Sequence, residues 1–403
     1  MTLAEHLHAL LDTPVRGVTD LGSSHAWTMH RAALADGRDV FVKAAAEPTT
    51  VFAAEASGLR WLAAGAHEPV GEAIENRVAT IEARSAQFDL PRRPGGSQSS
   101  RSANTPDEIG SSPNEIGSSA GTSGLASVAD QSWLPGVPTP GTSDTTGTVR
   151  SASVAAGSAM VRSATAGGES ATVRSATAGG ESARPGSVPD LLPEVLAADD
   201  RMIVLPWLDD TGPTPAAAEQ LGRELAALHA NSPNAFGAPW QGWIAELPLD
   251  NTLSTGPWAR WYAERRLAPY LPRAAPHLGR DGIRLLEQVI DRIDTLAGPP
   301  EPPARIHGDL WSGNIRWTAE RAILIDPAAH GGHRETDLAM LALFGAPHLD
   351  RILNAYNETH PLADGWRTRI PLHQLHHLLV HVVLFGATYR AQTLTAATTA
   401  LAG

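Results

Sequence analysis

Cysteine is absent from the 403 residues, which removes disulfides, thiolate zinc sites and cysteine nucleophiles before any motif is read. Basic runs are missing too. With 31 basic against 43 acidic residues the formal net charge is −12, and nothing clusters Lys and Arg as a phosphate-backbone binder requires, so nucleic acid is not expected as a partner. No stretch approaches the roughly 18 consecutive apolar residues of a membrane span. The first residues, MTLAEHLHALLDTPVRG, lack the basic start and continuous apolar core of a signal peptide. The expectation is a cytoplasmic protein with no membrane partner.

Lysine is almost missing. Thirty of the 31 basic residues are Arg and one is Lys43. Together with abundant Ala, Gly and Pro, this is the imprint of a GC-rich genome, and it makes the one surviving lysine a marked position.

Length alone allows about two or three domains. From about Glu68 to Ser187 the chain is dominated by Ser, Thr, Ala, Gly and Pro, too poor in large apolar residues to offset the entropy of ordering. It also repeats: VRSATAGGESAT at Val161 to Thr172 returns as VRSATAGGESA at Val173 to Ala183, and EIGSS occurs at Glu108 and again at Glu115. These units have no hydrophobic face to stack on a neighbour, so residues 68–187 read as a disordered low-complexity insertion rather than a solenoid. A short helix over Glu72 to Phe88 is the one element expected there.

Either side of the insertion the pattern is regular. Val15 to Asp20, Ala26 to Leu34 and Asp39 to Ala44 read as strands, the first two joined by a turn at Gly22, Ser23 and Ser24. Val51 to Ala64 carries apolar residues at helical spacing, and Glu194 to Trp207 reads as a hairpin turning at Asp199 and Asp200. Beyond it, Thr214 caps a helix that opens on Pro215 and runs to His229. Further helices are expected at Pro257 to Tyr270, Gly282 to Leu296, Glu335 to Phe344, Leu349 to Glu358 and Leu372 to Tyr389. The fold class is therefore α+β and two-lobed: residues 1–206 form an N-lobe of antiparallel sheet plus one helix, interrupted by the insertion, and 207–403 form a mainly helical C-lobe.

The chemistry concentrates in RIHGDLWSGNIRWTAERAILIDPAAHGGHRETDLAMLALFG, Arg305 to Gly345. Asp309 and Asn314 stand five positions apart, and an apolar run then ends on Asp326. Phosphoryl transfer needs a base near the attacking hydroxyl and oxygen ligands for the magnesium that neutralises phosphate charge, and protein-kinase catalytic loops use this separation. On that pattern Asp309 accepts the hydroxyl proton and Asn314 and Asp326 hold Mg2+. Lys43 on the third strand reaches the ATP phosphates and pairs with Glu55 on the following helix. Any one of these residues alone would suit an ordinary polar turn; the ordered set does not.

The segment HGDLWSGN, His307 to Asn314, with the IDPAAHGGHRETDLAMLALFG continuation, resembles the fructosamine (ketosamine) kinase family of the protein-kinase-like superfamily. LHANSPNAFG, WYAERRLAPYL and HQLHHLLVHVVLFGATY are similar to other family segments, so the resemblance covers about 1–66 and 188–403. It implies a protein-kinase-like fold, ATP and Mg2+ as cofactors, Asp309 as catalytic base, Asn314 and Asp326 as metal ligands, and Lys43, Glu55 and Gly22 in the nucleotide site. It places Trp311 against the sugar, the alternative being an aromatic buried between loops, and Asp337 as a brace of the catalytic loop. The implied activity is phosphorylation of O3 of a small-molecule or protein-linked ketosamine, leading to deglycation. A kinase for an aminoglycoside or amino alcohol is the alternative, and a non-catalytic binding protein the other class. Two departures stand out: LGSSHAW has a single glycine, Gly22, for covering phosphates, and the insertion has no counterpart. His373, His377 and His381 share a helical face with His376 beside it; with no carboxylate evident nearby, they read as packed or solvated rather than metal-binding.

Overall fold

The computed structural model describes residues 1–24, 26–64 and 190–403; the helix expected at Glu72 to Phe88 lies outside them. The N-terminal sheet is antiparallel, built from β1 (Val15–Ser24), β2 (Trp27–Leu34), β3 (Asp39–Ala45), β4 (Ala197–Ala198) and β5 (Met202–Pro206) in the order β1-β2-β3-β5-β4. Its register aligns Met29, Lys43 and Ile203 across three strands. The two-residue period of β3 sends Val40, Val42 and Ala44 to one face, where they pack with Leu7, Leu34 and Val204. Phe41 goes to the other face, with Phe52, Ala56 and Leu59 of helix α2 (Val51–Ala63).

Leu7 belongs to an N-terminal helix, α1 (Leu3–Leu11), absent from the sequence reading. Its signal was present. Thr2 and Glu5 form a reciprocal capping box, Thr2 N donating to Glu5 at 2.8 Å and Glu5 N to Thr2 Oγ1 at 3.2 Å. The expected turn at Gly22 to Ser24 is also corrected: pairing continues through Ser24 opposite Trp27, and Gly22 sits at an irregularity of the ladder with φ +100°. The β4–β5 hairpin turns where expected, with Asp199 Oδ1 accepting from Arg201 N and Met202 N at 2.8 and 2.9 Å.

The C-terminal half is helical around a few short hairpins, the first formed by β6 (Gly242–Ile244) and β7 (Leu247–Leu249). Helix α3 (Pro215–Ala230) starts as expected, Thr214 accepting from Ala217 N at 3.1 Å. The single helix expected over 257–270 is instead three pieces: α4 (Trp258–Tyr262), a wide turn (Ala263–Leu267) and a tight one (Ala268–Tyr270). Arg266 is buried there, donating to Asp250 O and Asn251 Oδ1 and stacked 4.2 Å over Trp261. Pro269 supplies no N–H to continue regular helix. Helix α5 (Leu271–Asp291) begins earlier than expected and bends at Gly279, φ +72°, before the short α6 (Ile293–Leu296).

Helices α7 (Arg334–Leu343) and α8 (Leu349–Thr359) match expectation. Helix α9 (Trp366–Phe385) starts six residues before Leu372, tolerating Pro371, and α10 (Arg390–Ala402) follows it. By length and composition the stretch Trp366–Ala402 passes as a possible membrane span, but 67% of its apolar window is buried. Leu375, Leu378 and Leu379 of α9 lie in the core with Tyr262, Leu286 and Met340, so this is a core helix.

Candidate active site

Two short ladders frame the site. Strand β8 (Ala304–Ile306) pairs with β11 (His330–Gly332), and β9 (Ile315–Trp317) pairs with β10 (Ala322–Leu324). The loop leaving β8 is bound on both sides. His307 N and Gly308 N donate to the two carboxylate oxygens of Asp337 at 2.7 and 2.9 Å, and His229 Nε2 lies 3.1 Å from the same group. Burial opposes the Asp337 charge, yet the hydrogen bond from His229 and the loop amides hold the carboxyl below its ordinary range. Gly308 has φ +79°, and a Cβ there would meet Ala328 O at 2.3 Å, so only glycine lets the loop pass.

Asp309 follows at once. Asn314 Nδ2 donates to its main-chain oxygen at 2.8 Å and to Oδ2 at 3.2 Å. Burial, reinforced by the charge of Asp326, pushes the Asp309 carboxyl up to about 7 against the Asn314 hydrogen bond. Trp311 lies over Gly313, where a Cβ would come within 2.2 Å of the indole. Asp326, just past β10, takes the left-handed conformation with φ +55°, one that aspartate tolerates better than most residues.

Lys43 joins the two halves. Its Nζ donates to Glu55 Oε2 at 2.9 Å and to Asp326 Oδ1 at 3.1 Å. Burial works against the ammonium, but the charges of Asp326 and Glu55 outweigh it and hold Lys43 above the ordinary lysine range. Burial is also the largest influence on Glu55 and raises it to about 7, while Lys43 pulls the other way. All five residues singled out by spacing, Lys43, Glu55, Asp309, Asn314 and Asp326, line one cavity of about 280 Å3. Trp311 lines it as well. Gly22 does not; the β1–β2 hairpin reaches the cavity through Trp27 and Met29 instead.

Sequence reasoning missed several walls. Phe344, His381, Phe385 and Tyr389 line the same cavity, with Trp311 and Phe344 ring centroids 6.1 Å apart and His381 and Tyr389 4.7 Å apart. The aromatics of LFGATY were a signal, but nothing in their spacing says which face of the helix end meets the cleft. The histidine helix is packed, as expected: His373, His376 and His377 are buried. The absence of a nearby carboxylate needs correction, because the fold brings Glu335 within 3.3 Å of His373. That carboxylate is already forked by Arg369 at 2.9 and 2.6 Å, which satisfies it without a metal.

Chemically, the cavity joins a carboxyl near neutrality, hard oxygen donors and one ammonium. The family model for fructosamine kinase matches residues 180–402. The chain belongs to the fructosamine kinase family. It is a phosphotransferase acting on a hydroxyl group. A protein named probable ketoamine kinase from Thermus thermophilus is 33% identical over 199 residues, 49% of this chain and 71% of that one. The chloroplastic protein-ribulosamine 3-kinase of Arabidopsis thaliana is 32% identical over 202 residues, 48% of this chain and 59% of its own. Among solved structures, a candidate fructosamine-3-kinase from Thermobifida fusca is 37% identical with a TM-score of 0.67, covering 100% of this chain and 99% of that one. The two-lobed kinase-like architecture extends, at 11% identity and a TM-score of 0.50, to an aminoglycoside phosphotransferase.

Proposed function

We propose that this fructosamine kinase family member transfers the γ-phosphate of ATP to O3 of a ketosamine. The observation that carries the reading is the convergence of Lys43 and Glu55 from the N-lobe with Asp309, Asn314 and Asp326 from the C-lobe on one cavity. Asp309 is the base: a carboxyl raised to about 7 accepts a hydroxyl proton far better than an ordinary carboxylate. Asn314 Nδ2 holds Asp309 in place, and none of the described residues donates to the Asn314 amide oxygen. That oxygen and Asp326 form an oxygen-only donor set that fits Mg2+, which when bound supplies neutralisation of phosphate charge. Lys43, kept cationic by Glu55 and Asp326, contacts the phosphates.

The acceptor follows from the relatives named ketoamine kinase and protein-ribulosamine 3-kinase and from the walls. Trp311, Phe344 and Tyr389 offer rings for a sugar to pack on. Phosphate at O3 becomes allylic once nitrogen-assisted enolisation forms the C1–C2 double bond. Its departure and hydrolysis of the resulting imine then free the amine, which is deglycation. ATP turnover measured against ribulosamines, fructosamines, aminoglycosides and free sugars tests this. Turnover with ketosamines and not with the other classes is expected; preference for an aminoglycoside would overturn the acceptor assignment.

A further inference from the structure

Beside Gly308 of the catalytic loop lies a second and much smaller cavity of about 10 Å3, lined also by Arg266, His376 and His377 among others. Each of these three side chains is buried, and each keeps one nitrogen without a partner among the described residues: Arg266 Nε, His376 Nε2 and His377 Nδ1. The partners of the other ring nitrogens fix what those orphans are. His377 Nε2 lies 2.8 Å from Gly308 O and His376 Nδ1 lies 2.9 Å from Arg266 O. A carbonyl only accepts, so those two nitrogens carry the protons. His377 Nδ1 and His376 Nε2 are then bare acceptors, while Arg266 Nε–H is a donor.

One donor and two acceptors around a space of roughly one probe sphere are the complement of a single water, which gives two hydrogen bonds and receives one. We propose that this cavity holds a water bridging Arg266, His376 and His377, and that His377, locked in its tautomer by that water, is a positioning residue for Asp309. His377 does not touch the base directly, its Nε2 standing 4.0 Å from Asp309 Oδ1. It acts through the Gly308 carbonyl, opposite to the grip of Asp337 on the Gly308 amide. Burial lowers the His377 imidazole to about 4, so the neutral form that this network requires persists through the neutral range.

The kinetic part rests on Asp309 being the base, so the test has two independent readouts on the full chain. In steady-state assays with ATP and a ketosamine, His377→Leu is expected to lower kcat by roughly tenfold to a hundredfold, the cost of a small misplacement, with the KM for ATP little changed. His377→Gln, whose amide N–H reaches where Nε2 does, recovers most of it. A His377→Leu enzyme with wild-type kcat, or a glutamine variant as impaired as the leucine one with kcat tracking the loss of Tm, overturns the positioning role. In imidazole 15N spectra of wild type, with the His376 and His377 signals assigned from their single glutamine variants, neighbouring histidines of opposite tautomer are expected, Nδ1–H for His376 and Nε2–H for His377. Identical tautomers overturn the bridge. Wild type inactive towards every ketosamine would sink the proposed function instead, leaving the spectra to judge the bridge.

Discussion

Asp309→Asn separates what a catalytic carboxylate does from what it costs. The carboxyl is raised from 3.8 to about 7, roughly three pK units, and each unit is about 1.4 kcal/mol. The ionised group therefore costs the fold at most about 4 kcal/mol, and with 23% of the side chain open to the cavity solvent screening brings the figure nearer about 2 kcal/mol. The sign follows from linkage. A group whose folded pKa lies above its unfolded one binds its proton more tightly when folded, so it is neutral and harmless below about 4. The penalty grows as pH rises to about 7 and is complete above it. Asparagine carries no charge at any pH and still offers an oxygen to Asn314. The variant should accordingly lose about a hundredfold or more in turnover, as expected for removal of a general base. At pH 8 without divalent ions it should melt several degrees higher than wild type, at about 2–4 °C per kcal/mol. Thermal melts from pH 4 to pH 8 read the effect directly: the gap should open between those values. A variant less stable than wild type at pH 8, or a gap independent of pH, would refute the reasoning.

The same group shapes the rate profile: kcat/KM should rise about tenfold per unit up to about pH 7 and then level off, which a pH series on the wild type checks. Asp337→Asn leaves one of the donors from His307, Gly308 and His229 facing an amide NH2, a buried mismatch of about 1–3 kcal/mol; both Tm and kcat should fall. Lys43→Met leaves Glu55 and Asp326 against each other, and should cost about 3 kcal/mol of stability at pH 8 along with nucleotide-dependent turnover. Melts repeated at pH 5 should recover part of that loss, since a carboxyl raised to about 7 takes up a proton there.

Much of the site was legible because phosphoryl transfer constrains residue type and spacing together. Asp309 and Asn314 share one loop and a short hairpin carries the chain on to Asp326, while Lys43 on β3 is joined to Glu55 on α2 by a single loop, so local structure brings the members of each set together. What stayed hidden depends on long-range packing. His377 meets Gly308 across 69 residues, and its four-residue spacing from His373 and His381 says only that they share a face. Gly22 was placed by analogy with phosphate-covering loops, yet the ladder extends past it and delivers Trp27 to the cavity. The broken helix at 263–270 was invisible for a similar reason. Its apolar residues keep a helical period, and the break is enforced by a buried arginine whose partners, Asp250 and Asn251, come from the preceding loop.

The lone lysine joins the two halves of the site through a donor count. An ammonium has three donors, and Glu55 and Asp326 engage two of them, leaving one to face a cavity where a phosphate oxygen can accept it. Arginine, which the rest of the chain uses 30 times, would place a planar fork between the same carboxylates. It would satisfy them pairwise and direct its remaining N–H groups within its own plane rather than towards the cleft. In a chain that otherwise uses arginine, this geometry gives one position a reason to be lysine. The prediction is specific: Lys43→Arg should preserve far more stability than Lys43→Met because the ion pairs can persist, yet should recover little of the turnover. If arginine restored both, the third donor would have no role, and the link between Lys43 and the phosphates would fail with it.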